Sequence, residues 1–159
     1  MSVLGEHLSN FARNHVMQRV GRGECADLIT AALRDAGAPT PAHIHHQIIW
    51  GISVPLAFVE PGDVLQFTSF RVVIRNVDGR TAREIRGYPA HTAMVLENRG
   101  HGVLLIAEQN MTYAGSALSP HTTGTAVLFV TDQVTYDNRT VTVSGRVEAY
   151  RPQMSGTPH

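Results

Sequence analysis

The chain has 159 residues, 43% of them apolar and 16% charged, with acidic and basic residues balanced at 13 each. This is the composition of one folded domain with a sizeable core; it excludes a disordered chain, and balanced charge supplies no field that would favour nucleic acid or an anionic membrane. One cysteine excludes an internal disulfide, and no apolar run approaches the ~20 residues of a membrane-spanning helix.

The first predicted helix carries Leu4, Leu8, Phe11 and Val16 at roughly helical spacing. It does not read as a secretory leader, because no basic start precedes an apolar run; residence in the cytoplasm and export by a non-classical route both fit. The second helix reads CADLITAALRDAGA. Cys25, Leu28, Ile29, Ala32, Leu33 and Ala36 form its apolar stripe, and Gly37, Pro39 and Pro41 stop it. Residues 38–60 read as a loop. From residue 61 the pattern is extended. PGDVLQF is a turn and a strand, and FRVVIRNVDGRTAREI is a hairpin about Asp78-Gly79. HTAMVLENRGHGVLLIAEQN is a second hairpin about residues 98–102, and GTAVLFVT and RTVTVSGRVEAYRP add strands. Helices first and antiparallel strands after them predict an α+β fold, N-terminal helices packed on a sheet, over residues 1–152, with a flexible tail at 153–159.

Cys25 opens the second helix, after VGRGE. The positive end of the helix dipole and unpaired N–H groups favour thiolate there, and Gly21 and Gly23 allow a tight turn and leave room for a substrate. The structural alternative is a small buried hydrophobe on the apolar stripe. A nucleophilic thiol needs a base. Of nine histidines, His91 starts an apolar strand, whereas His101, His121 and His159 fall in turn, loop and tail, and His7 and His15 in the first helix. The hairpin brings the AEQN end of the next strand beside His91, and strand alternation puts Glu108 and Asn110 on one face and Gln109 on the other. A carboxylate or amide there would hold the imidazole in its working tautomer. A thiolate so activated can attack an electrophilic carbon, with the Cys25 N–H at the helix start as an oxyanion donor. No cofactor is required. His43, His45 and His46 lack a carboxylate or thiolate partner nearby, so no metal site is expected from them. Trp50, in the long loop, reads equally as a cleft wall or a core anchor. Asn110-Met111-Thr112 and Asn138-Arg139-Thr140 match the glycosylation pattern, which is common by chance.

VGRGECADL, PGDVLQF, HTAMV, EQN and GRVEAYRP together resemble the CHAP family of papain-like cysteine amidases and peptidases, within the NlpC/P60-like group. The chain is more closely similar to the cysteine proteinase-like domain of fungal BBC1/AIM3 proteins. Glu24 stands where many CHAP domains have Gln, and Ala90 where many have Gly, which brings the chain nearer that branch. The resemblance implies a papain-like, NlpC/P60-like fold with Cys25, His91 and Glu108 as nucleophile, base and orienting group, and Asn110 beside them. It implies Gln18 as a second oxyanion donor, and Gly23, Glu24 and Trp50 as substrate-lining residues. The expected substrate is a peptide or peptidoglycan-like amide. The competing readings are an inactive binding or scaffold module and a thiol acyltransferase.

Overall fold

Ser2 starts the first helix: its hydroxyl accepts the Gly5 N–H at 2.9 Å, satisfying one of the orphan donors of a helix start. In the computed structural model, which describes residues 2–41, 48–111 and 120–155, α1 spans Val3–Asn14 and α2 spans Cys25–Asp35. Val16 lies beyond α1, since His15 ends it. Gly37, at φ 73°, takes the left-handed conformation that stops α2. Seven strands follow: β1 (Ile52–Val54), β2 (Val64–Arg75), β3 (Thr81–Gly100), β4 (Val103–Glu108), β5 (Gly124–Phe129), β6 (Gln133–Val134) and β7 (Thr140–Arg151). They form one antiparallel sheet in the order β1-β7-β2-β3-β4-β5, with β6 also on β7.

The two expected hairpins are present and share β3. The first turns at residues 76–80, where Gly79 has φ 86°, and the second at His101-Gly102. The expected loop 38–60 also holds β1 and a turn of 3-10 helix, Leu56–Phe58. Both runs are only three residues long, too short for periodicity to reveal. The expected tail lies in part outside the described residues, as do His43, His45, His46 and His159.

The sheet buries apolar side chains on both faces. Leu4, Leu8 and Ala12 of α1 and Leu28, Ile29, Ala32 and Leu33 of α2 pack on Val64, Met94, Leu96, Ala107 and Tyr150. The alternate residues Leu65, Phe67, Ala93, Val95, Leu104, Ile106 and Ala149 join Phe70, Val72, Leu128 and Val141 in a second cluster. On β2 the parity of that second cluster changes from odd (65, 67) to even (70, 72). The change occurs at a three-strand irregularity: Ser69 has φ 44°, Gly87 on β3 has φ 92° and Gly145 on β7 has φ 85°. Pairing slips there, from Thr68↔Ala90 to Phe70↔Arg86 and from Thr68↔Arg146 to Arg71↔Ser144. Such bulges re-aim side chains, and this one turns Arg86 toward the face that carries His91 and Glu108.

The fold is thus α+β, two helices on a large antiparallel sheet, as the order of the predicted elements implied.

Candidate active site

Gln109 ties the loop before α2 to the end of β4. Its Oε1 accepts the Val20 N–H at 2.8 Å and the Thr123 hydroxyl at 3.2 Å, and its Nε2 donates to the Val20 and Glu24 carbonyls, each at 2.9 Å. Three of these four hydrogen bonds, all made by a fully buried amide, hold the loop that presents Cys25. Asp27 adds to the hold, accepting the Arg22 N–H at 2.8 Å. Cys25, half-buried, is the first residue of α2, where backbone N–H groups lack helical acceptors.

His91 meets this thiol from β3. The imidazole lies close enough to act on the thiol and favours the thiolate, as do the N–H groups of Thr92 and Ala26. Burial pushes the thiol pKa up, but His91, with those two N–H groups, outweighs burial and brings it below the ordinary value. His91 Nε2 is 2.9 Å from Glu108 Oε1, which leaves the other ring nitrogen, Nδ1, for Cys25. The ring also packs against Phe67, centroids 5.8 Å apart. Burial alone would lower the His91 pKa; Cys25 and Glu108 prevail and raise it to about 9. Both shifts run in the direction of a thiolate–imidazolium pair.

Glu108 stands directly opposite Ala93 rather than His91, because bulges at residues 95–97 and 98–100 slip the hairpin register. His91 is two residues along β3 from that partner, on the same face, so the diagonal contact is made. Glu108 is completely buried. Its Oε1 also accepts Arg86 Nε at 2.8 Å and its Oε2 accepts Arg86 Nη2 at 2.7 Å. Burial raises the carboxyl pKa, but Arg86 and His91 outweigh it and hold it at about 2. Arg86, itself 0% exposed, reaches Glu84 with Nη1 at 2.6 Å. Burial would depress its pKa; the two carboxylates keep it above the usual range.

The structure thus brings Cys25, His91 and Glu108 together. Asn110 leaves the strand at φ 63° and its Nδ2 donates to Glu24 Oε2 at 3.1 Å, so this bond is to the Cys25 loop rather than the imidazole. β4 ends at Glu108, and alternation no longer applies two residues later. Gln18 is exposed and contributes its backbone, with its carbonyl accepting the Thr123 N–H at 2.8 Å. Trp50 is 4% exposed in the helix–sheet core, its indole donating to Gln66 Oε1 at 3.1 Å, so it is a core anchor. Gly23 does take a positive φ, 83°, but the space left by its missing side chain is filled by the chain itself: a Cβ would stand 2.6 Å from His121 Cβ.

Arg86 and Gln109 are the site residues that the pattern of the sequence did not reveal. Gln109 lay inside the EQN motif but on the opposite face, and Arg86 reads as an exposed strand charge until the bulge is known. Among the described residues, no group of three or more His, Cys, Asp or Glu could hold a metal ion, and no helix is long and apolar enough to cross a membrane.

Comparison with known proteins matches residues 1–156 to the family model described as the AIM3/BBC1 cysteine proteinase-fold domain. Altered inheritance of mitochondria protein 3 of Debaryomyces hansenii is 37% identical over 125 residues, which cover 67% of this chain and 13% of that relative. No solved structure matches the chain.

Proposed function

The chain belongs to the AIM3/BBC1 cysteine proteinase-fold domain family, and on that premise we propose that it cleaves amide or peptide bonds through Cys25. The observation that carries this reading is the placement of Cys25 beside His91, whose Nε2 is hydrogen-bonded to the buried Glu108 at 2.9 Å, with the thiol brought below its ordinary pKa and the imidazole raised. A group meant only to fill space gains nothing from that arrangement.

In the proposed reaction the Cys25 thiolate attacks the amide carbonyl, and the imidazolium of His91 gives its proton to the leaving amine as the C–N bond breaks. Water, deprotonated by neutral His91, then attacks the thioester; the acid leaves and the thiol site is regenerated. The Cys25 N–H at the helix start is the oxyanion donor, and Glu108 keeps the ring oriented. Peptides, peptidoglycan peptides among them, are the substrate class to screen. An amine in place of water would give acyl transfer by the same first step.

The comparisons favour a second reading, a binding or scaffold module that keeps the fold without turnover. The family description names a fold rather than a reaction, and the matched stretch is 13% of a much longer relative. In that reading the buried Arg86–Glu108–His91 network serves only to hold the sheet together. Iodoacetamide alkylation of Cys25 across pH separates the two. Rapid modification well below pH 8, lost in His91→Ala, together with amide release that Cys25→Ala abolishes, is the expected result. An ordinary thiol profile in both proteins would sink the catalytic reading in favour of the module.

A further inference from the structure

We propose that Arg86 is a positioning residue of the thiol site: its guanidinium fork holds both oxygens of Glu108, so that Oε1 faces His91 Nε2 and the ring is fixed against Cys25. This rests on the catalytic reading above and adds a fourth residue to it.

A glutamate side chain has three rotatable bonds, and Glu108 is the last residue of β4. A carboxylate held at one point can turn about its final bond and trade one oxygen for the other. The fork removes that freedom, because Nε and Nη2 bind different oxygens at 2.8 and 2.7 Å. The fork is itself held from behind, Nη1 meeting Glu84 at 2.6 Å. A buried charge this well paired costs much desolvation and is weak evidence for stability alone. The chain nevertheless breaks the regularity of three strands to deliver it, at Ser69, Gly87 and Gly145. Among the described residues, Cys25 from α2 and Glu108 from β4 are the charged or titratable groups acting on His91, with Arg86 of β3 on the far side of Glu108 and Glu84 behind it. β2 contributes the uncharged ring of Phe67. Arg86 therefore reaches His91 through Glu108. Lysine would keep the charge but not the planar two-point grip.

The test is the pH profile of Cys25 alkylation by iodoacetamide in the full chain, for wild type, Arg86→Lys, Glu108→Gln and the Arg86→Lys/Glu108→Gln double variant, with near-UV circular dichroism to verify folding. Arg86→Lys is expected to move the profile up by about one pH unit, about tenfold slower reaction below it. In the Glu108→Gln background the same change is expected to add nothing, since the residue it acts through is already altered. A wild-type profile in Arg86→Lys, or an equal slowing in both backgrounds, overturns the proposal. Should Arg86→Lys not fold, Arg86→Gln, which keeps an N–H donor but not the fork, is read in its place, alone and with Glu108→Gln. A profile raised in the single variant and not raised further in the Glu108→Gln background supports the positioning role, and a wild-type profile in the single variant overturns it. An unactivated thiol in wild type is a different result, one that removes the catalytic reading and the proposal with it.

Discussion

Residues with the same sequence-level promise come to opposite ends in the fold. Cys25 is polarised by a neighbour on another element, whereas Trp50 is enclosed among α1, α2 and the sheet and satisfies its N–H on Gln66. Trp50→Ala removes a large side chain from a packed core and is expected to lower stability by about 3–5 kcal/mol in urea denaturation. Alkylation of Cys25 in the folded variant should be unchanged. Slower alkylation without loss of stability would instead make Trp50 a wall of the cleft. Glu108 and Asn110 differ for a related reason: alternation ends where β4 ends, so one faces His91 and the other bonds Glu24.

The elements divide into those the local pattern reveals and those it hides. Both helices follow from their apolar stripes, and the β2–β3 turn follows from Asp78-Gly79, because these signals are local. The kink through Ser69, Gly87 and Gly145 is hidden, because each glycine reads alone as an ordinary turn signal and the slip exists only between paired strands. At Gly145 the φ of 85° disfavours a side chain, and a Cβ would press into the backbone of Ser69 and Phe70. Gly145→Ala is expected to cost roughly 1–3 kcal/mol by urea denaturation, of the order of other strained backbone positions. Wild-type stability in that variant would mean that the kink relaxes freely.

For the whole molecule, the site couples stability to pH. The Glu108 carboxyl lies at about 2 in the fold against an ordinary 4.5. Its contribution is complete above about pH 4.5 and is lost as pH falls toward 2. His91 lies at about 9 against 6.5, so its contribution is complete below pH 6.5 and is lost as pH rises through 9. Cys25 works oppositely: lowered from 9.0, its contribution grows as pH rises toward that value. The Cys25 and His91 slopes have opposite signs below pH 9, so the thiol offsets part of the His91 loss. Thermal unfolding across pH is expected to show Tm falling below pH 4.5 and only a reduced decline between about pH 6.5 and 9. In Cys25→Ala the His91 loss stands alone there, and Tm should decline more steeply as pH rises.

The sequence by itself determined the α+β class and the order of helices and hairpins, and it put Cys25, His91 and Glu108 forward as one candidate set, because periodicity, turn chemistry and motif order are carried by neighbours along the chain. Only the tertiary structure decided that Gln109 holds the Cys25 loop, that Trp50 belongs to the core, and that Arg86 grips Glu108. Each depends on contacts between residues 16 to 89 positions apart. Strand register and bulges settle those contacts, and a one-residue slip in either would send the side chain to the other face.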